Sequence, residues 1–226
     1  MTLKVKDKDI VVPGEELATG MDYLPGYGTY REKESIYATI IGQLRISGRA
    51  LKIVPLSGKY IPKNDDMVIG QVSDITFNGW TMQINSGYHA MLPMKDATSD
   101  FISRGADLTR YFRIGDWLAT KITNVTSQKL VDLTMKGPGL RALKGGRIMY
   151  VSPSKVPRII GKQGSMVTLI KESTGCNISV GQNGVVWIEG EPAKAQKVRD
   201  AIQLIERDAH IPGLTEKVKQ FLGESK

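Results

Sequence analysis

The sequence predicts a multidomain protein that is mainly β over its first two thirds and α/β over its last third. Short runs rich in β-branched and aromatic residues, separated by turn residues, continue to about residue 136. A glycine-rich stretch, GPGLRALKGGR at 137–147, then interrupts the pattern. Beyond it, apolar residues recur at intervals of three and four, as they do in amphipathic helices. We therefore expect three domains, at residues 1–58, 59–144 and 145–226.

The charge distribution separates the first domain from the other two. The chain has 226 residues, a net charge of +8 and a pI near 9.5, which favours polyanionic partners such as nucleic acid. Residues 1–58 carry 8 Lys+Arg against 7 Asp+Glu, residues 59–144 carry 11 against 8, and residues 145–226 carry 12 against 8. We expect the first domain to do something other than bind polyanions.

The cellular location is predicted from cysteine usage and from the apolar runs. Cys176 is the single cysteine, so an intrachain disulfide is impossible and a reducing compartment fits. The segment MTLKVKDKDI has no apolar core of signal-peptide length, and no run approaches the roughly 20 apolar residues of a membrane span. A soluble, cytoplasmic protein is expected.

The second domain has the strand pattern of a small barrel. Three strands are predicted at 66–76, 79–87 and 88–94, with turns at Asn78-Gly79 and Ser86-Gly87. A polar stretch follows, and a last strand pair spans 117–136 with its turn at Ser127-Gln128. Five short strands with one longer excursion after the third predict an OB-fold barrel.

The third domain begins with a strand, RIMYVSP, and a short helix, KVPRII. After GKQG, Ser165 can cap a helix that ends at Gly175, and GQNG joins two strands as a hairpin. A further helix has one apolar face, formed by Ala195, Val198, Ile202 and Ile205. After a break at Pro212-Gly213, Thr215 can cap a last short helix.

The tetrapeptide GKQG carries the clearest functional signal. The order strand, helix, Gly-x-x-Gly, helix, strand, strand, helix resembles that of a KH domain, in which this loop clamps the backbone of about four nucleotides. Glycine lets a phosphate approach the main chain, and the following helix directs free N–H groups and its positive end at the loop. A linker between helices that binds no ligand is the alternative reading.

We expect the side chains around this loop to bind RNA, with Ile159, Ile160 and Met166 beside an apolar groove for bases. The candidate RNA-binding residues of this domain are Arg158, Ile160, Gly161, Lys162, Gln163, Gly164, Ser165 and Met166.

Nearly the whole chain resembles one family, the archaeal RNA-binding cap subunit of the exosome, of the ribosomal-RNA-processing-protein-four type. The stretches that carry the resemblance are GWTMQINS at 79–86, MKGPGL at 135–140, KVPRIIGKQGSM at 155–166, VGQNGVVWIEG at 180–190 and AHIPGLTEKV at 209–218. The chain departs from the family at Arg141-Ala142, where a glycine-lysine pair is usual.

The resemblance implies a non-catalytic protein without a cofactor. Three copies would sit on a hexameric ring of RNase PH-like subunits, possibly mixed with another cap subunit. The first domain would dock on the ring, and the barrel and KH domain would guide single-stranded RNA into it for 3′-to-5′ degradation. A free or ribosome-associated RNA-binding protein with the same two modules is the alternative.

The resemblance also implies a barrel of the S-one type, which often stacks bases on surface aromatics and a histidine. Pro93 stands near the histidine position here, and Asn124 and Lys129 stand where an acidic and a basic residue are common. We therefore expect contact led by charge, and we expect Trp80 and Phe77 to serve core or rim packing. The candidate basic residues are Lys95, Arg104, Arg110, Arg113, Lys121 and Lys129.

No catalytic constellation is predicted. His89 and His210 lack metal-ligand neighbours at useful spacing, and Cys176 is expected to be a buried structural thiol. Asp65-Asp66 with Asp74 could form a magnesium site of a nuclease, but the pair lies in a predicted turn, where aspartate is favoured for backbone reasons.

Overall fold

The structure, a computed structural model, describes residues 2–103, 105–209, 211 and 213–223, and only the backbone of Thr2. Arg104, His210 and Pro212, which figured in the sequence predictions, lie outside the described residues. The chain divides into two compact units, Met1–Gly58 and Lys59–Lys226. The predicted fold class is confirmed, because a β-rich region and a closed barrel precede a mixed α/β domain.

The first unit consists of short strands in two sheets. The strands are β1 (Thr2–Leu3), β2 (Ile10–Val11), β3 (Glu16–Thr19), β4 (Leu24–Pro25), β5 (Thr29–Glu32), β6 (Ser35–Ala38), β7 (Gly42–Ser47) and β8 (Ala50–Pro55). One sheet has the order β1-β3-β6-β5 and the other β2-β7-β8-β4. Their inner faces share one apolar cluster of eight buried residues, namely Val11, Leu17, Ala18, Ile36, Ala38, Leu44, Leu51 and Ile53.

The second unit begins with the barrel. Its elements are β9 (Met67–Thr76), β10 (Gly79–Gln83), β11 (His89–Pro93), the short helix α1 (Met94–Ala97), β12 (Trp117–Val125) and β13 (Val131–Thr134). The barrel closes because β13 pairs antiparallel with β12 and parallel with β11. Trp80 is fully buried inside, where its indole N–H donates to the carbonyl of Phe112 at 3.0 Å.

The glycine-rich stretch 137–147 contains a strand that the sequence did not predict. β14 (Arg141–Leu143) pairs with the first residues of β12, while β13 pairs only with the second half of β12. Without β14, that part of the β12 edge would expose unpaired backbone groups. The stretch, predicted as a boundary or a tight connector, therefore also contributes a strand to the barrel sheet.

The mixed α/β domain has the predicted order of elements. It consists of β15 (Arg147–Tyr150), α2 (Val156–Ile160), α3 (Ser165–Thr174), β16 (Asn177–Val180), β17 (Val185–Glu189), α4 (Pro192–Arg207) and α5 (Leu214–Leu222). The sheet order is β15-β17-β16, with all pairs antiparallel. The predicted apolar face of α4 is confirmed, since Ala195, Val198, Ile202 and Ile205 are all buried.

Both predicted side-chain caps are wrong. Ser165 is already helical, with φ −56° and ψ −39°, and Gly164 precedes α3 without a side-chain hydrogen bond. Thr215 lies inside α5, which Gly213 precedes in the same way. A capping hydroxyl must come from a residue outside the helical φ/ψ region, so neither side chain can serve. The predicted end of α3 at Gly175 is confirmed.

Asp208 joins the last two helices. Its buried carboxylate accepts from Arg207 Nε at 2.9 Å and from Lys217 Nζ of α5 at 2.5 Å. The hydrogen bonds from Arg207 and Lys217 hold the pKa of Asp208 well below its ordinary value of 3.8. The stabilisation by the ionised carboxylate is therefore present above pH 3.8 and is lost as the pH falls toward the lowered pKa.

We expect Asp208→Asn to lower the unfolding midpoint at neutral pH, because the amide cannot form two ion pairs. The difference from wild type should shrink as the pH is lowered below 4, and thermal unfolding followed by circular dichroism measures it. Asp200→Asn is the control, because Asp200 lies within α4 and accepts from the neutral amide of Gln196. A constant difference between Asp208→Asn and wild type from pH 7 to pH 3 would contradict this account.

Candidate nucleic-acid interface

The loop of Gly161–Gly164, called here the GKQG loop, connects α2 and α3 through left-handed backbone conformations. Gly161, Gln163 and Gly164 have φ angles of 76°, 54° and 81°. Glycine adopts these conformations without steric cost, whereas Gln163 adopts its own at some expense. Lys162 and Gln163 point into solvent. The loop thus presents two polar side chains on a sharply turned backbone.

The two glycines of the loop have different surroundings. A Cβ at Gly161 would lie 2.7 Å from both the backbone nitrogen and the Cβ of Met166, so the turn itself requires glycine there. At Gly164 a Cβ would meet nothing within 4 Å, so the space beside it is open. Gly164 is therefore the glycine whose main chain a ligand can approach.

The first turn of α3 is available to an anion. No side chain caps α3, although the helix runs for 10 residues directly from the loop. The Ser165 N–H donates to the carbonyl of Lys162, and no side chain caps the N–H groups that follow it in the first turn. Such N–H groups and the positive end of a helix favour a phosphate at this position. The exposed side chains of Arg158 and Lys162 add positive charge beside it.

Fewer apolar side chains are open to a ligand beside the loop than the sequence indicated. Ile159 is fully buried and Met166 is 5% exposed, and both belong to the core of the domain. Ile160 is half-buried and Ser165 is exposed, so these two residues are open to a ligand near the loop. Met166 supports the loop from beneath, and its contact with RNA stays a prediction.

The basic candidates on the barrel do not form one group. β10 and β12 run opposite to β9, β11 and β13, which places the β9–β10 turn, α1 and residues 98–103 and 105–116 at one end of the barrel, called here the loop end. Lys95, Arg110 and Arg113 lie there, whereas Lys129 lies in the β12–β13 turn at the opposite end. Arg104 lies outside the described residues.

Several of these cations have acidic neighbours. Lys121 Nζ lies 2.8 Å from Asp65 Oδ1, and Arg110 Nε lies 3.5 Å from Asp107 Oδ2. Lys95 Nζ is 4.0 Å from Asp96 Oδ2, and 82% of the Lys95 side chain is exposed. An exposed pair of this kind contributes little stability and separates easily. The Lys121–Asp65 distance is the shortest of the three, so Lys121 is less available to RNA than the sequence indicated.

Of the two aromatic residues expected to pack, one does and one does not. Trp80 is buried in the barrel core, as predicted, with its ring 5.2 Å from that of Phe112. Phe77 is 85% exposed in the β9–β10 turn, so its predicted packing role was wrong. The turn places the side chain outside the barrel wall, beyond the last residue of β9.

Residues 181–184, the loop between β16 and β17, have a role that was not predicted from the sequence. This loop, predicted only as a hairpin, inserts against the barrel, where Asn183 is fully buried. The Asn183 Nδ2 group donates to the carbonyls of Ile69 and Ile84 at 2.7 and 2.9 Å, and Oδ1 accepts from Ile69 N at 3.2 Å. The stretch VGQNGVVWIEG at 180–190 resembles the family, but nothing in it indicates that Asn183 contacts the barrel.

A second contact between the barrel and the mixed domain involves the atypical Arg141. Its guanidinium lies 5.3 Å from the centre of the Trp187 ring, a distance typical of a cation–π interaction. The Trp187 indole donates to the carbonyl of Gly145 at 2.9 Å. An apolar cluster surrounds this contact, formed by Ile69, Ala119, Leu143, Val185 and Trp187.

Two of the carboxylates considered for a nuclease site have structural partners. Asp66 accepts a hydrogen bond of 2.6 Å from Tyr60, and Asp65 pairs with Lys121. Cys176 is buried, as predicted. Across the described part of the chain, no three His, Cys, Asp or Glu side chains lie close enough to hold a metal ion.

Comparisons with known proteins agree with this arrangement. The model of the KH domain matches residues 147–206, and that of the "Exosome complex exonuclease RRP4 N-terminal region" matches residues 10–47. The chain is 45% identical to the exosome complex component Rrp4 of Methanothermus fervidus over 97% of each chain. It is 41% identical to that of Thermococcus kodakarensis, over 96% of this chain and 86% of the relative.

A solved structure shows the same similarity. The crystal structure described as an exosome complex RNA-binding protein has a TM-score of 0.64 and 31% identity, and the match covers 74% of this chain and 97% of that one. Within the part of the chain that is described, no helix has the length and apolar character needed to cross a membrane. The similarity to several curated relatives at this level, over almost the full length, shows that the chain belongs to the exosome complex component Rrp4 family.

Proposed function

We propose that this protein is a non-catalytic, RNA-binding cap subunit of a cytoplasmic exosome. It recruits single-stranded RNA and guides it into a ring of RNase PH-like subunits that degrades RNA from 3′ to 5′. The observation that carries the proposal is the open GKQG loop at the uncapped start of α3. A clamp of this form holds the backbone of a single strand and leaves its bases free to be read.

The clamp is proposed to bind a phosphate at Gly164 and the first turn of α3. Lys162 supplies a mobile charge, Gln163 a neutral hydrogen-bonding group, and Arg158 and Ser165 further polar contacts. Gly161 and Met166 shape the turn, and Ile160 offers an apolar surface to the adjacent base. The basic residues Lys95, Arg104, Arg110, Arg113, Lys121 and Lys129 are proposed as barrel contacts to the same strand, weaker at Lys121 because Asp65 pairs with it.

The first unit is proposed to dock on the nuclease ring. Residues opposite one another in a sheet share a face, and the register places Ile10, Gln43 and Val54 in one row. Ile10 is 64% exposed and Val54 is 48% exposed, which supports an apolar contact with another protein. The near balance of charge in residues 1–58 supports a protein partner over RNA.

Native mass spectrometry of the tagged protein, purified from its own cells, tests the proposal. We expect a complex with three copies of this chain and a six-membered ring, with or without a second cap subunit. A lone monomer or co-purification with ribosomes would favour a free RNA-binding protein with the same clamp. A lone chain that degrades labelled RNA with magnesium and phosphate would favour a nuclease instead.

A further inference from the structure

The positive charge of the chain is concentrated in one segment. Between Asp132 and Glu172 the sequence has eight lysines and arginines and no acidic residue. The whole chain has 31 Lys+Arg and 23 Asp+Glu, so the remainder carries 23 of each sign and the entire net charge of +8 lies in this segment. The eight cations are Lys136, Arg141, Lys144, Arg147, Lys155, Arg158, Lys162 and Lys171. The GKQG loop and its neighbour Arg158 use only two of them.

A second pair of glycines lies between two of the remaining cations. Residues 144–147, called here the KGGR segment, join β14 to β15, and Gly145 and Gly146 have φ angles of 66° and 70°. A Cβ at Gly146 would lie 2.7 Å from the carbonyl oxygen of Ile188, whereas a Cβ at Gly145 would meet nothing within 4 Å. One glycine is thus required by packing, and the other leaves its main chain open to a ligand.

Trp187 holds this segment in place. Its side chain is buried, and its indole N–H donates to the carbonyl of Gly145 at 2.9 Å. The guanidinium of Arg141 lies 5.3 Å from the centre of the same ring. The exposed side chains of Lys144 and Arg147 stand on either side of the two glycines. Three cations are therefore gathered around a backbone segment that a buried indole fixes.

These cations have no acidic partner in the protein. None of Arg141, Lys144 and Arg147 takes part in the ion pairs formed among the described residues. Uncompensated charges of one sign repel each other and disfavour the compact state, so their clustering does not serve stability. Cations beside an open main chain are, in contrast, well suited to phosphate oxygens, which accept hydrogen bonds from both.

We propose that the KGGR segment binds the phosphodiester backbone of the RNA strand, at a site separate from the GKQG loop. Lys144 and Arg147 contact successive phosphates, and Gly145 lets the strand approach the main chain. The inference rests on the proposed function and adds a second backbone contact to it. The segment has no apolar side chain to anchor an acidic protein, and the same acid-free stretch continues into the proposed clamp, so RNA is the favoured polyanion.

The test is a salt titration of binding by the full chain, followed by fluorescence anisotropy, with a labelled single-stranded RNA 12-mer. Each phosphate contact with a single strand contributes about 0.7 to the slope of log affinity against log salt. Lys144→Ala combined with Arg147→Ala should therefore make the slope shallower by about 1.4 and weaken binding roughly 5- to 25-fold at about 0.1 M salt. An abasic oligonucleotide with the same phosphates should show the same loss, because the site contacts no base.

Glutamine at both positions keeps much of the side-chain length without the charge and should give the same losses as alanine. Arg141 is left unchanged in both variants, because its contact with the Trp187 ring contributes to stability. Arg199→Ala with Lys219→Ala is the matched control, since it removes one exposed arginine and one exposed lysine from α4 and α5. The control should keep the wild-type affinity and slope, and all variants should keep the wild-type unfolding midpoint.

Unchanged RNA affinity in both KGGR variants, an equal loss in the control, or a loss on RNA without a loss on the abasic probe would each overturn the inference. A polyglutamate peptide whose binding is lost in these variants while RNA binding is kept would assign the segment to an acidic protein and would overturn it too. Failure of the wild-type chain to bind the RNA probe would overturn the proposed function as well, so the two failures are distinguishable.

Discussion

Replacing Asn183 by alanine is expected to destabilise the second unit by about 3 kcal/mol or more, the largest stability effect that we predict. Strand β10 pairs with β9 only as far as Gln71, so the backbone of Ile69 has no strand partner on that side. The amide of Asn183 both donates to and accepts from Ile69, and thereby takes the place of a missing strand residue. Alanine would leave the N–H of Ile69 and the carbonyls of Ile69 and Ile84 buried without this partner.

Thermal unfolding measures the effect. At roughly 2–4 °C per kcal/mol for a chain of this size, the midpoint should fall by about 6–12 °C. Asn183→Asp should be at least as destabilising, because a carboxylate would face the two carbonyls to which the amide now donates. Gln182→Ala is the control, since Gln182 donates its backbone N–H to the carbonyl of Met67 at 2.7 Å, and alanine keeps this hydrogen bond. A small shift common to Asn183→Ala and Gln182→Ala would show that the amide is dispensable.

The position of Asn183 also depends on Gly181. A side chain at Gly181 would collide with the Asn183 amide oxygen and would lie 2.8 Å from the backbone nitrogen of Ile69. The 181–184 loop therefore needs a bare backbone at one residue and an amide at another. Contact with the barrel thus accounts for Gly181 and Asn183, whereas a Cβ at Gly184 would collide with the carbonyl oxygen of Val151 in the mixed domain.

Lys162→Asp combined with Gln163→Asp is expected to weaken single-stranded RNA binding by about 10- to 100-fold, or roughly 1.4–2.8 kcal/mol. The two substitutions change the charge of the loop from +1 to −2 beside the proposed phosphate site. Two unit charges 4 Å apart interact by about 4 kcal/mol near a protein surface, and solvent reduces this value for exposed groups. Both side chains are exposed, so the fold should be retained.

A salt titration of RNA binding by anisotropy measures this effect and its origin. The loss should be greatest at low salt, and the dependence on salt should be shallower in the variant because fewer counterions are released. Lys219→Asp with Gln220→Asp is the matched control, because it makes the same charge change at an exposed Lys-Gln pair on α5. Equal affinities of the loop variant and wild type at every salt concentration would contradict the clamp.

Features encoded in neighbouring residues were predicted from the sequence. The amphipathic face of α4, the hairpin at 181–184 and the end of α3 at Gly175 all depend on residues a few positions apart, and all are confirmed. The caps were misplaced by one or two residues, because capping depends on which φ/ψ the chain adopts at a single residue. The strand β14 was missed because glycines surround three residues whose pairing partner lies in β12.

The sequence by itself determined the barrel, the order of the elements in the mixed α/β domain and the loop that connects α2 to α3. Each follows from local periodicity, turn residues or backbone freedom of glycine. Only the tertiary structure decided that the Asn183 amide forms hydrogen bonds with the backbone of Ile69, which is 114 residues away. The same holds for the ion pair between Lys121 and Asp65 and for a pocket that Phe77 lines with residues 105–109. Hydrogen bonds, ion pairs and cavities depend on distances between segments that are remote along the chain, and no local pattern of residues encodes those distances.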